Sequence, residues 1–366
     1  LMGGVWTDSI YTALVILVIG CPCALVISTP VSIVSGMAAA TRYGILIKGG
    51  MFLEQGRLLR TLALDKTGTI THGKPRQTDF IRLDGMDEAE VIAVASSIAA
   101  RSDHPVSRAI AEDASGKVRE HLAVDQFTAI PGRGVSGVVR GRQWRLGNQR
   151  MLEDLGKSSP DVEASILELE QQGKTVVALV GDRVEGLFAV ADTLKESSVQ
   201  AVRELKQLGV KTMMLTGDNE HTARAIAEMV GVDAYKGNLL PEDKLRVVEE
   251  LGRSGKVGMV GDGINDAPAL ARADIGFAMA GAGTDTAIET ADVALMDDDL
   301  RKIPRFIKLS RSTYAILVQN ITLALGVKAL FFALTFMGHA TMWMAVFADV
   351  GTSLLVVANG LRAMRK

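Results

Sequence analysis

From Ser9 to Thr41 the chain carries no Asp, Glu, Lys or Arg. That run exceeds the ~20 apolar residues a helix needs to cross a bilayer. In hydrocarbon every backbone donor and acceptor must be satisfied internally, so such a segment spans as a helix. Three more uncharged runs lie at the other end: Ser312 to Val327, Ala329 to Ala348 and Val350 to Leu361. Only Lys328 and Asp349 interrupt them. The pattern predicts transmembrane helices over 9–41, 312–336 and 341–361, with a turn at Gly338-His339. Buried helices of a soluble protein fit less well, because the runs are long and edged by basic residues.

Basic flanks set the orientation. Arg42 and Lys48 follow the first span; Lys302, Arg305, Lys308 and Arg311 precede the second; Arg362, Arg365 and Lys366 follow the third. The 337–341 turn has neither Lys nor Arg. All basic flanks therefore fall on one side, the cytosolic one, together with residues 50–305. The first span lacks the basic n-region of a signal peptide and is too long for one.

The middle of the chain alternates β-branched runs with amphipathic helices, an α/β pattern. Its 48% apolar and 22% charged composition excludes global disorder. The net charge of −2 gives no nucleic-acid signal. Three apolar strands end in Gly with Asp or Thr. Leu62-Ala63-Leu64 runs into Asp65-Lys66-Thr67-Gly68-Thr69, Val210 to Leu215 into Thr216-Gly217-Asp218, and Lys256 to Val260 into Gly261-Asp262-Gly263. Ligands bind at the carboxyl ends of parallel strands, so one edge collects acids and hydroxyls. Between the first strand and the others, residues 75–190 differ in texture. A helix at Asp87–Ala100, strands near Phe127–Ile130 and Val135–Arg140, a helix at 161–172 and paired strands at 175–180 and 184–190 read as an inserted domain.

Asp65 is a competent nucleophile towards a phosphoryl group, and the Thr and Gly amides after it can cradle phosphate. A phosphatase built this way would carry a second acid two residues on, to hydrolyse the intermediate. Thr67 cannot do so, which suits a pump better. Asp262 and Asp266 can hold Mg²⁺ with Asp65, while Thr216 and Lys244 can contact phosphate oxygens. For each acid alone, a helix cap or solvated turn is the plainer explanation.

These motifs, with Pro241-Glu242-Asp243-Lys244 and Gly261-Asp262-Gly263-Ile264-Asn265-Asp266-Ala267-Pro268, resemble the phosphorylation-domain signatures of P-type ATPases. The resemblance implies an α/β haloacid-dehalogenase-like phosphorylation domain over 50–75 and 191–305. It also implies an inserted α+β nucleotide-binding domain over 75–190 and three transmembrane helices. It implies ATP as donor, Asp65 as acceptor, Thr67, Thr216, Gly217, Asp218 and Lys244 around it, and Mg²⁺ held by Asp65, Thr67, Asp262 and Asp266.

His104-Pro105 is similar to the His-Pro pair of the heavy-metal branch, where the His packs near adenine. The family has Glu five residues before that His; here Ala99 stands there. Gly132-Arg133-Gly134-Val135-Ser136-Gly137 matches G-x-G-x-x-G, but strand-like residues follow rather than a helix. Gly132 and Gly134 either let backbone approach the nucleotide or make a tight β-turn.

Cys21-Pro22-Cys23 sits mid-span. The proline removes an amide donor, and irregular backbone in a membrane lines a cavity, so freed carbonyls and two thiols can face a common space. Two cysteines this close cannot staple a loop. Intramembrane Lys328 and Asp349 are costly and point to function. Cu⁺ favours soft donors, whereas Zn²⁺ accepts Cys with carboxylate. Two thiolates and Asp349 balance a divalent ion plus Lys328. A plain Lys–Asp pair joining two helices is the alternative.

Cys-Pro-Cys resembles the ion-binding helix of heavy-metal pumps. Asn320 to Lys328 and Asp349-Val350-Gly351 resemble the zinc/cadmium/lead-exporting branch. That likeness implies a transported-ion site of Cys21, Cys23 and Asp349, with Lys328 as counterion.

The chain opens at Leu1-Met2 and contains no Thr-Gly-Glu, so the resemblance is to the C-terminal portion of such a pump. The expectation is a multi-pass protein of a bacterial plasma membrane, in contact with lipid and exporting Zn²⁺, Cd²⁺ or Pb²⁺ at the expense of ATP. Its partner would be a missing half bearing the actuator domain and other helices. A Cu⁺ pump, a soluble-type phosphohydrolase and a catalytically dead membrane module are the competing readings.

Overall fold

The computed structural model describes residues 6–83, 85–114, 121–281 and 285–365; Leu1-Met2 and Lys366 lie outside the described residues. The first uncharged run forms two helices, Trp6–Gly20 and Cys23–Arg42, not one. The break falls at Cys21-Pro22, where the proline has no amide hydrogen and its ring crowds the preceding turn. Ser9–Arg42 as a whole remains long and apolar enough to cross a membrane.

Lys302–Phe336 is a single helix, longer than the expected 312–336. Its 35 residues extend about 52 Å at 1.5 Å each, well beyond a ~30 Å hydrocarbon core. The excess lies at its N-terminal end. There Ile303, Phe306 and Ile307 are fully buried in an α/β core, and Phe306 stands edge-on to Phe277 with ring centroids 5.4 Å apart. One rigid rod thus joins that core to the membrane passages. Met342–Leu361 returns antiparallel to it after the turn. Asn320 Nδ2 donates to Val356 O at 3.1 Å and Asn359 Nδ2 donates to Asn320 Oδ1 at 2.8 Å. Polar side chains in an apolar bundle hold helices together in this way.

The strands divide between two sheets. β1 (Ile45–Ile47) and β2 (Leu59–Asp65) come first. β3 (Arg76–Arg82), β4 (Val124–Ile130), β5 (Gly134–Val139), β6 (Arg142–Gly147), β7 (Thr175–Val180) and β8 (Val184–Ala191) follow. β9 (Lys211–Leu215), β10 (Ala234–Lys236), β11 (Lys256–Gly261), β12 (Ile275–Met279) and β13 (Val293–Leu295) close the series.

One sheet has the order β1-β13-β12-β11-β2-β9-β10, parallel throughout except between β1 and β13. β1 lies outside the ranges 50–75 and 191–305 and extends this sheet by one edge strand. Helices cover both faces, which is why Leu62-Ala63-Leu64 reads as an unbroken apolar run with no exposure. From β2 the order departs in both directions, towards β9 and towards β11. That is a topological switch point, the place where such sheets bind ligands.

β3 to β8 form an antiparallel sheet of order β3-β8-β7-β6-β5-β4. β3 and β6 had no counterpart in the sequence pattern. Helices Glu88–Ala99 and Pro105–Ala114 close one face through Val91, Ile98 and Ile110 against Trp144 and Phe188. Helix Pro160–Gln171 closes the other through Val162, Ile166 and Leu169. The chain crosses between the sheets near 71–76 and 191–195. Asp192 ties the crossings, accepting from Thr71 Oγ1 at 2.5 Å, Gly73 N at 3.0 Å and Lys74 N at 3.2 Å.

Candidate functional site

Strand register decides what surrounds Asp65. Asp65 pairs with Leu215, so Thr216 stands one step past it on β9. Leu64 pairs with Val260, so Gly261 and Asp262 stand beside and just past it on β11. Asp266 follows on the short turn before helix Ala267–Arg272. The carboxylate oxygens of Asp65, Asp262 and Asp266 lie within 4.8 Å of one another, which makes a site for a cation.

Lys244, near the start of helix Pro241–Gly252, donates to Asp65 Oδ1 and to Asp266 Oδ1, the latter at 2.8 Å. Burial alone would lower its pKa, but Asp65 and Asp266 outweigh that and hold the ammonium well above its usual range. Burial, then the charge of Asp266, raises Asp65 to about 7 against the pull of Lys244. Burial and Asp266 likewise raise Asp262 to about 6. Three acids thus crowd one ammonium, and the surplus negative charge fits a divalent cation with oxygen ligands.

The loop after Asp65 is tightly built. Thr67 is extended and Gly68 takes φ +71°. A Cβ on Gly68 would fall inside the Asp262 carboxylate, and one on Gly261 would meet Asp266 Cβ at 2.6 Å. Lys66 pairs with Asp218 at 2.5 Å, and Asp218 N donates to Thr216 Oγ1 at 3.1 Å. Gly217 lies between them, against Leu239 O.

Two further residues were not apparent from sequence. Lys195 Nζ donates to Gly68 O at 2.6 Å; burial lowers its pKa against Asp298 and Asp262. Lys66 had no role assigned within its motif. The available signal was a basic residue at each point where the chain leaves and rejoins the parallel-sheet domain, after β2 and before helix Glu196–Gln207.

In the inserted domain, partial burial lowers the pKa of His104 while Asp218 opposes the shift. The imidazole therefore feels the loop that pairs with Lys66. Its Nδ1 accepts from Val106 N at 3.3 Å as Pro105 opens a helix. Ala99 is fully buried at the end of helix Glu88–Ala99, so a Glu grown there would have to leave the core. Gly132 lies in the turn joining β4 and β5, and Gly134 opens β5. Gly134 is required by the sheet itself, because a Cβ would meet Gly147 Cα at 2.5 Å. Gly132 takes φ +69° in open space.

In the membrane passages, Lys328 Nζ donates to Ile19 O at 2.8 Å and to Cys21 O. These carbonyls are freed by the break at Cys21-Pro22. Asp349 Oδ1 lies 3.6 Å from Lys328 Nζ, is buried, and makes no hydrogen bond. A cavity of about 10 Å³ bordered by Ala24, Ala324, Lys328, Asp349 and Thr352 opens there, enough for a single small guest.

The expected set of Cys21, Cys23 and Asp349 is not assembled. The structure joins Cys21 to Cys23 in a disulfide, across a Cα–Cα distance of 5.5 Å. Among the described residues, the one cluster of three acidic, Cys or His ligand atoms is Asp65, Asp262 and Asp266. Two thiols flanking one proline stand within reach of each other, so pairing between them competes with sharing an ion. Only reduction would return them as thiolate ligands.

Residues 59–274 match the haloacid dehalogenase-like hydrolase family. The chain is 44% identical over 371 aligned positions to a cadmium-transporting ATPase of Staphylococcus aureus, covering 99% of this chain and 51% of that protein. It is 45% identical over 363 positions to the zinc/cadmium/lead-transporting P-type ATPase of Escherichia coli, covering 99% and 48%. The crystal structure of a zinc-transporting PIB-type ATPase in the E2.Pi state superposes with a TM-score of 0.80 at 44% identity, covering all of this chain and 60% of that one. The chain spans about half the length of the curated relatives it matches. With Asp65 at its switch point, its inserted sheet and its three membrane-length helices, the chain belongs to the haloacid dehalogenase-like family and, within it, to the heavy-metal P-type ATPases.

Proposed function

We propose that this chain drives export of a divalent soft or borderline ion, Zn²⁺, Cd²⁺ or Pb²⁺, through phosphorylation of Asp65 by ATP. The carrying observation is Asp65 at the end of β2, pressed against Lys244, Asp262 and Asp266, with Thr67 where a hydrolytic acid would stand. An Asp65 carboxylate oxygen attacks the γ-phosphorus, the bond to the ADP oxygen breaks, and ADP departs. Lys244 and the Thr216 hydroxyl then meet the phosphoryl oxygens. Asp65, Asp262, Asp266 and the Thr67 carbonyl would hold Mg²⁺, which offsets negative charge during phosphoryl transfer. Asp218 keeps Lys66, and with it the loop, in place. The Lys302–Phe336 rod links this chemistry to Lys328.

His104 supports an adenine site on the inserted domain facing Asp65. His104→Gln should raise the ATP concentration for half-maximal labelling about tenfold, the loss of one good contact. Labelling by acetyl phosphate, a donor with no base, should persist. Equal loss with both donors would show a folding defect and remove this assignment.

At the membrane site, Lys328 beside Asp349 suits a divalent ion, and nothing beyond Cys-Pro-Cys favours Cu⁺. The thiols must be free, so Zn²⁺ binding should require a reductant and strengthen with pH as thiol protons leave. Asp349→Ala should weaken Zn²⁺ binding about a hundredfold, comparable to the loss of a buried charge partner, and Cu⁺ binding far less. Lys328→Ala should spare affinity and slow release. Metal stoichiometry and X-ray absorption on reduced protein, in full-length context, test this. Wild-type Zn²⁺ affinity with sulfur-only coordination in Asp349→Ala would refute it. Zn²⁺, Cd²⁺ or Pb²⁺ should stimulate ATP-dependent labelling where Cu⁺ does not. We place the sheets in the cytosol of a bacterium, with an actuator segment needed to complete the cycle.

A further inference from the structure

The inserted domain also meets the parallel-sheet domain through the end of helix Pro160–Gln171 and the turn after it. These pack on helix Glu220–Val230. Glu170 is only 4% exposed and accepts a hydrogen bond from Asn219 Nδ2 at 2.6 Å. Thr222 Oγ1 donates to Lys174 O at 3.0 Å. Gly173 lies against Met229 and Ile226. The contact is close to the chain crossings, since Thr175 pairs with Val190 and Arg76 with Ala191.

A buried carboxylate needs a partner. Apolar packing of this helix already comes from Val162, Ile166 and Leu169, so Glu170 is not needed for it. Its partner belongs to the other domain. Asn219 is held at both ends: Nδ2 binds Glu170, and Oδ1 accepts from Thr222 N at 2.8 Å to cap the helix. The preceding residue, Asp218, pairs with Lys66 at 2.5 Å, and Lys66 adjoins Asp65. A continuous polar chain therefore runs from the inserted domain to the neighbour of the nucleophile.

The structure assigns Glu170 a positioning role: through Asn219 it sets the inserted domain against the Thr216-Gly217-Asp218 loop, so that ATP bound by that domain is presented to Asp65. This rests on the reading of Asp65 as phosphoryl acceptor. Phosphoryl transfer tolerates little misplacement of donor and acceptor. A bond near the crossings is well placed to fix the angle between the domains.

The test labels the whole detergent-solubilised chain with two donors, ATP and acetyl phosphate, the second of which needs no inserted domain. Glu170→Ala removes the acceptor. Asn219→Asp keeps the helix cap but sets two carboxylates together. Each should lower kcat/KM for labelling by ATP about tenfold, as for one charge-assisted hydrogen bond, and leave acetyl phosphate labelling unchanged. The double variant Glu170→Gln/Asn219→Asp reverses donor and acceptor and should restore labelling by ATP. Amide exchange over 172–175 and 220–225 should quicken in Glu170→Ala and recover in the double variant. Equal loss with both donors, an unchanged response to ATP, or no rescue by the reversed pair would overturn the assignment. A wild-type chain labelled by neither donor would instead remove the Asp65 reading, and this one with it.

Discussion

Gly68→Ala should leave the chain folded and reduce labelling of Asp65 by at least about a hundredfold, the usual cost of a misplacement near 1 Å at a reacting centre. Two effects combine. Gly68 has φ +71°, a left-handed conformation that costs an L-residue roughly 1–2 kcal/mol. The added methyl would also occupy the position of the Asp262 carboxylate. Either the loop after Asp65 moves or Asp262 leaves the cluster, and in both cases the acids no longer converge. The sheets do not depend on this residue, because their cores lie along β2, β9, β11 and β12 and in the inserted domain. Circular dichroism and melting should stay close to wild type while labelling by both ATP and acetyl phosphate collapses. Near-normal labelling would mean that Asp262 is dispensable to the site.

Asp65 was legible because three features coincide in a few residues: an unbroken apolar strand, a terminal carboxylate, and Thr-Gly-Thr after it. Lys328 and Asp349 were legible for the opposite reason, as charges set within apolar runs where charge is costly. The demand on Gly68 was not legible. It comes from Asp262, distant in sequence and brought alongside by the β2–β11 pairing. The Glu170–Asn219 bond is hidden in the same way, since each residue alone reads as an ordinary helical surface or cap.

At 132–137 the structure adds a demand on the glycines that the motif alone does not show. Gly134 is small because β5 closes on β6 there, a constraint of sheet packing. The length of helix Lys302–Phe336 was missed because its charged first turns looked like the edge of a span, while Ile303, Phe306 and Ile307 among them were already core residues. At Cys21 and Cys23 the chemistry of the side chains was readable, but their approach to each other was not, because it depends on how the break around Pro22 brings the two side chains together.

The most direct test of the account is acid-quenched labelling of the reduced, detergent-solubilised chain with γ-³²P-labelled ATP and Mg²⁺, compared with Asp65→Asn. The substitution keeps shape and hydrogen-bonding capacity but removes the nucleophilic carboxylate, so the loss of label should be complete. With Thr67 in place of a second acid, the wild-type intermediate should persist and be cleaved by hydroxylamine, as an acyl phosphate is. Stable hydroxylamine-sensitive label on wild type and none on Asp65→Asn is the predicted result. Label that survives Asp65→Asn, or steady phosphate release from wild type with no trapped intermediate, would contradict it.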